Sequence, residues 1–235
     1  MKNSLLKLLF CFVLAVQLSG CGTSVTRPSA PIKKVAVVSL VINSEDLDQY
    51  DPVKTATTEK IVNSKFVSGL VKATEAKLSG IMQVRPVSGF VGSADYQGIG
   101  VKRQPPYTLP EIDGKSMVLL SAVRKEMVRG ELKPEIAKKL CASLGVDGVV
   151  LIYSEWFQER GGMVPTIRPY TDNFVAVWDS HGNLVLRKRI AEMGDVQGFG
   201  MVNISAEKLP EWTGLYMKFL DVLVKEMQKL TGSAI

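Results

Sequence analysis

Few residues in this chain could carry covalent chemistry, and they are scattered. There are three cysteines and a single histidine in 235 residues. Cys11 lies in an apolar run, Cys21 follows Leu18-Ser19-Gly20, and Cys141 falls on a stripe of helical spacing. His181 sits in Asp179-Ser180-His181-Gly182-Asn183, which has the composition of a turn. An imidazole on a turn is exposed and poorly held for general-base work. A Ser-His-Asp triad would have to use it, and no Gly-x-Ser-x-Gly elbow is present. One histidine and one free thiol do not make an ordinary zinc site. Gly98-Ile99-Gly100-Val101-Lys102 lacks the spacing and the Lys-Ser/Thr pair of a phosphate loop. The carboxylates remain: Glu155 and Glu159, with Asp147 and Asp179 at turns. A two-carboxylate glycosidase needs an acid of raised pKa in a cleft, whereas acids at element ends are usually solvated. The reading is no catalytic residue, no metal ligand, no cofactor and no enzyme. A hydrolase built on Glu155, Glu159 and Asp147 is the alternative.

The N-terminus is more explicit. An apolar run from Leu5 to Val16, interrupted by Lys7 and preceded by Lys2, closes on Leu18-Ser19-Gly20-Cys21. The run is too short for an ordinary membrane-spanning helix and reads as the core of a signal peptide. Its last four residues match the lipobox of bacterial lipoprotein precursors: an aliphatic residue, two small ones, then Cys. That resemblance implies cleavage before Cys21 and acylation of its sulfur. Residues 1–20 are then a lipoprotein signal peptide and 21–32 a lipidated tether, stiffened by Pro28 and Pro31. Acyl chains contribute roughly 0.8 kcal/mol per buried CH₂, so several of them make a stable membrane anchor. Gly22 stands where an Asp commonly retains such proteins in the inner membrane. The resemblance therefore implies an outer-membrane lipoprotein facing the periplasm. Cys141 would be the last free thiol, with no internal disulfide.

Hydrophobic residues at 46% and charged ones at 22% are globular values, so residues 33–235 are expected to form one packed domain. The net charge of +6 includes Lys2 and Lys7, and no dense Lys/Arg block suggests nucleic acid. Residues 33–42 are β-branched and read as a buried strand. Residues 53–78 show helical spacing, stopped at Gly80, and 81–87 read as an edge strand limited by Pro86. The stretch 88–114 is rich in Gly and Pro and holds Phe90, Tyr96 and Tyr107. It is expected as a long loop, either a partner-contacting surface or a solvated insertion. Residues 115–129 and 134–144 are expected as helices, the second burying Cys141 as a small hydrophobe. Residues 146–157 read as an interior strand and 158–169 as a second loop. Strands 170–178 and 184–191 flank the turn at His181. The helix from 210 to about 230 carries a stripe of Trp212, Tyr216, Phe219, Leu223, Met227 and Leu230, expected to pack on a sheet.

The order strand, helix, strand, helix pair, three strands, helix predicts an α/β (α+β) fold: a mixed sheet of about five strands packed by helices. Three stretches carry a resemblance. Lys34-Val35-Ala36-Val37-Val38 is similar to the opening strand of periplasmic domains related to the amino-terminal domain of the Tol–Pal translocation protein. Leu144-Gly145-Val146-Asp147-Gly148-Val149-Val150 is similar to the helix-to-strand step of that group, and Val177 to Val185 to its hairpin. The group includes the curli secretion lipoprotein and lipoproteins that activate penicillin-binding proteins. The resemblance implies an accessory role in the envelope and a further option, a self-assembling ring of copies. A membrane-spanning hairpin needs strands of about 9–11 residues, which 88–114 and 158–169 are not expected to supply. The expected function is a lipid-anchored accessory protein that binds another envelope protein or glycan, through the 88–114 loop and an exposed sheet edge. The hydrolase alternative would act on cell-wall material.

Overall fold

The computed structural model describes residues 28–48, 62–101, 107–161, 166–199 and 208–232. In chain order the elements are β1 (Lys34–Asn43), α1 (Glu45–Asp48), α2 (Ser64–Ser79), β2 (Gln83–Arg85), a 3₁₀ turn at Val87–Gly89, α3 (Ala94–Gln97), β3 (Glu111–Ile112), β4 (Lys115–Ser116), α4 (Arg124–Arg129), α5 (Pro134–Leu144), β5 (Gly148–Gly161), β6 (Thr166–Asp179), β7 (Leu184–Met193), β8 (Gly198–Phe199) and α6 (Leu209–Gln228). The main sheet runs β2-β1-β5-β6-β7, with short β8 also on β6, and β3 and β4 form a separate small hairpin. β1 is parallel to both β2 and β5; β5, β6 and β7 are antiparallel in turn. The fold is therefore the expected mixed sheet with helices packed around it, in one α+β unit.

The run KVAVVSLVIN is buried on both faces because helices cover both. Neighbouring residues of a strand face opposite ways. Lys188, cross-strand from Val175, reaches Glu226 of α6, while Ala176 lies against Gly130 at the end of α4. One layer is thus α2 with α6, and the other is α4 with α5. The α6 stripe is inside as expected: Trp212, Tyr216, Phe219, Leu223, Met227 and Leu230 are all buried. Tyr216 also meets Thr74 of α2, its hydroxyl 3.0 Å from Oγ1, which ties the two helices of that layer. α5 spans the expected residues, with Pro134 in its first turn and Gly145 closing it at φ 62°, a left-handed conformation suited to glycine.

Four expectations about elements change. α2 begins at Ser64, where Asn63 accepts the Phe66 N–H as N-cap; residues 49–61 lie outside the described residues. The 115–129 helix shrinks to α4. Met117, Val118 and Leu119 are buried in non-helical chain, and Ser121 Oγ accepts the Val123 N–H at 3.0 Å and bonds Glu126, so a local side-chain turn starts the helix late. The 88–114 stretch is not a structureless loop where it is described: it holds the 3₁₀ turn, α3 and β3. The 158–169 loop is mostly strand. β5 and β6 stay in register from Gln158↔Pro169 to Gly161↔Thr166, leaving 162–165 outside the described residues. Each of these strands has 14 residues, so the shortness expected of this hairpin was wrong. One face of it packs under α6, with Trp212 Nε1 donating to the Phe157 carbonyl at 3.2 Å. Among the described residues no helix is long and apolar enough to cross a membrane.

Candidate functional site

Cys21 and the signal segment lie outside the described residues. Residues 28–32, the end of the stretch expected as a tether, are described, and they are fastened at one end of the sheet. The Ile32 N–H donates to the Leu230 carbonyl at 3.0 Å, and the Lys33 and Lys34 N–H groups both donate to Asp147 Oδ2 at 2.9 Å. Ser29 Oγ lies 3.1 Å from His181 Nδ1 at the same end. Asp147 thus anchors the incoming chain, and Asp179 accepts the His181 and Asn183 N–H groups of its turn. Both acids serve backbone geometry.

Phe90 and Tyr96, expected as partner-contacting residues, are in the core. They are 4% and 1% exposed and meet edge to face with ring centroids 5.0 Å apart. The Tyr96 hydroxyl donates to the Val38 carbonyl at 2.7 Å and accepts the Val118 N–H at 3.2 Å. Burial with both hydroxyl roles filled makes Tyr96 a strut between β1 and the segment before α4. Tyr107 is half-buried, edge-on to Tyr153 at 5.9 Å, so it packs on the sheet beside the surface.

The carboxylates expected as a hydrolytic set do not converge. Asp147 precedes β5, and Glu155 lies eight positions on, roughly 25 Å along an extended strand. Glu155 is held by Arg124, with Nε 2.5 Å from Oε1 and Nη2 2.6 Å from Oε2, and accepts the Tyr153 hydroxyl at 2.7 Å. The hydrogen bond to Glu155 holds the Arg124 guanidinium charged. Burial first, then Glu155, push the Tyr153 phenol up, so it stays a donor. Glu159 is exposed. Among the described residues no group of three or more His, Cys, Asp or Glu side chains could hold a metal ion.

What the fold does bring together is a face of the β5–β6 hairpin on the α4–α5 side, beyond those two helices. Residues 153, 155, 157 and 159 alternate onto it, opposite 174, 172, 170 and 168. Tyr153 stacks on Phe174 with centroids 6.0 Å apart, and the Arg189 guanidinium lies 5.7 Å from the Phe174 ring. The next row pairs Asp172 with Arg189, with Nε 2.8 Å from Oδ1, beside the Arg124–Glu155 pair. The row after that is Phe157, Tyr170 and Met193, neighbours across three strands. Phe157 and Tyr170 are half-buried with centroids 4.6 Å apart, and Met193 is 45% exposed. An apolar row framed by two salt-bridged pairs has the make-up of an interaction surface. The sequence signal was the alternation Tyr153, Glu155, Phe157, Glu159, masked by the Gly and Pro residues that follow it.

No family model matches this chain, and no curated protein does. Among solved structures, it is similar to a hypothetical protein of Chlamydia trachomatis, at 10% identity and a TM-score of 0.42, over 86% of this chain and 99% of that one. It is also similar to a lipoprotein of Neisseria meningitidis, at 14% identity and a TM-score of 0.39, over 84% and 98%. A third likeness is to the PelC dodecamer of Paraburkholderia phytofirmans, at 13% identity and a TM-score of 0.28, over 89% and 99%.

Proposed function

We propose that this protein is a lipid-anchored accessory lipoprotein of the outer membrane, facing the periplasm, that holds another envelope component, protein or glycan, on the hairpin face. The observation that carries the reading is a polarity of the sheet. The tether enters where Lys33 and Lys34 meet Asp147, beside the start of β5. β5 then runs 14 residues away from that point, roughly 45 Å of extended chain. A lipid on Cys21 would set the tether end toward the bilayer and hold the row of Phe157, Tyr170 and Met193 out in the aqueous space. The binding surface is the hairpin face in place of the 88–114 stretch, whose Phe90 and Tyr96 belong to the core.

Two measurements test the reading. Cys21→Ala is expected to move the protein from the membrane to the soluble fraction without changing its thermal unfolding; retention on the membrane would refute the anchor. A photo-crosslinking residue at Met193 is expected to capture one envelope component in cells, and Phe157→Ser to abolish that capture. Equal capture from a crosslinker at Lys218, an exposed position on α6, would refute the hairpin face.

A further inference from the structure

A second surface runs along the last strand of the sheet and meets the hairpin row only at its far end, at Met193. β7 ends the strand order and is ten residues long, and among the described residues no strand pairs with its outer edge. A long open edge is a template for another extended chain, and folds usually cover or guard it. Beside β7, on the α4–α5 side, lies a groove of about 760 Å³. Val101, Val123, Leu132, Ile136, Trp178 and Leu184 are its apolar lining. Val101 and Val123 are among the most exposed large hydrophobic side chains, at 39% and 46%. An open edge next to an apolar groove is the geometry by which domains add a peptide strand: backbone bonds hold it, and the groove takes alternate side chains.

Charge selects the occupant. Arg187, Lys188 and Arg189 follow one another on β7. Lys188 turns to the α6 side and is paired with Glu226, and Arg189 is paired with Asp172. Arg187 and Lys133 both line the groove, and among the described residues neither is in an ion pair with a carboxylate. Two acids also line the groove, Glu126, hydrogen-bonded by Ser121, and Glu131, paired with Arg129 at 3.2 Å, so Arg129, Lys133 and Arg187 leave it with one cation in excess. A second copy adding antiparallel about Lys188 would set Arg187 directly opposite Arg189, and like charges in that position are destabilising. We infer that the β7 edge and its groove are a docking site for an extended acidic segment of another polypeptide. This site goes beyond the hairpin reading and does not depend on it.

The test uses full-length protein in detergent micelles and labelled ten-residue peptides. One alternates valine with glutamate; the other alternates valine with lysine. Fluorescence anisotropy is expected to show salt-sensitive binding of the acidic peptide, with the basic one at least tenfold weaker. Arg187→Glu is expected to reverse that preference, and Lys133→Glu to weaken the acidic peptide several-fold. Amide exchange is expected to slow along β7 and stay unchanged along β2. Phe157→Ser, which disables the hairpin row, is expected to leave peptide binding intact, so the two readings fail separately. No binding of the acidic peptide at about 1 mM, an affinity of only some 4 kcal/mol, overturns the proposal. So do equal binding of the two peptides, an unchanged preference in Arg187→Glu, or concentration-dependent dimerisation that protects β7 instead.

Discussion

Gly130 sits directly on Ala176: a Cβ added to the glycine would lie 2.1 Å from the Ala176 Cβ. The contact works because Gly130 closes α4 at φ 58°, and because its carbonyl accepts the Trp178 indole N–H at 2.9 Å. That single approach sets how closely α4 rides on β6, and with it the wall of the groove that continues to Leu132 and Lys133.

Gly130→Ala therefore combines two costs, a left-handed conformation of about 1–2 kcal/mol and a steric overlap of about 1–3 kcal/mol. The expected loss is about 3 kcal/mol, read as a lower urea midpoint with an unchanged slope. Gly69 is the control. It lies mid-helix in α2, exposed, and a Cβ there would meet nothing within 4 Å. Gly69→Ala is expected to gain about 1 kcal/mol. Equal effects at the two sites would show that α4 does not approach β6 as described.

Tyr96→Phe removes one oxygen and leaves two buried backbone groups, the Val38 carbonyl and the Val118 N–H, short of a partner. An unsatisfied buried group costs about 1–3 kcal/mol, so the expected loss is at least 2 kcal/mol in chemical denaturation. A loss under about 0.5 kcal/mol would return Tyr96 to the surface role that its sequence context suggested.

That context shows what could and could not be read from residues alone. β1, α5, the turn at Asp179–Asn183 and α6 are legible because each is a strong local pattern: a β-branched run, a Pro-to-Gly helix, turn chemistry, a stripe of large apolar residues. The rest depends on partners distant in sequence. Phe90 and Tyr96 look like loop aromatics until β1 supplies the carbonyl that Tyr96 needs. Met117-Val118-Leu119 look helical because irregular core segments are also apolar. The far half of the β5–β6 hairpin looks like a loop because Gly161, Gly162, Pro165 and Pro169 are breakers in sequence. Pro169 has no N–H to give the ladder, but its carbonyl accepts the Gly194 N–H at 2.9 Å. The apolar row of the hairpin face, Phe157 and Tyr170, lies at the start of that illegible half, whereas β7 was legible as a strand and only its place at the edge of the sheet was not.

Cys141 was legible as a buried hydrophobe, and its chemistry follows. It is 2% exposed on α5, and burial, reinforced by the negative Asp179 and Asp147, pushes its thiol up to about 12. The native protein at pH 8 is expected to resist iodoacetamide at this position, with labelling appearing only in denaturant, as followed by peptide mass mapping. Prompt labelling of the native state would mean that α5 opens from the sheet far more readily than its packing implies.

Acid should act on the α2–α6 layer through two glutamates of opposite sign. Glu226 is buried between Lys188 and Lys229, whose ammonium groups lie 2.5 and 2.7 Å from its oxygens. Burial pushes its pKa up, but the two lysines outweigh burial and hold it below the ordinary 4.5. Its contribution is therefore complete above the unfolded value and is lost as pH falls through the lower folded value. Glu75 is the reverse. Burial raises its pKa, only partly offset by the Val87 N–H, which it accepts at 2.7 Å, and by Lys72. Its ionisation opposes folding above the raised folded value, and that opposition is relieved as pH falls to the unfolded one. Glu226→Gln is expected to cost roughly 1–2 kcal/mol at pH 7 and to flatten the fall in stability below about pH 4.5. Glu75→Gln keeps the oxygen that accepts from Val87 and is expected to hold or raise stability at pH 7, while steepening the fall below. Thermal unfolding of both variants across pH 3–7 checks the pair. Parallel shifts in the two profiles would show that these carboxylates do not sit in the environments that α2 and α6 build around them.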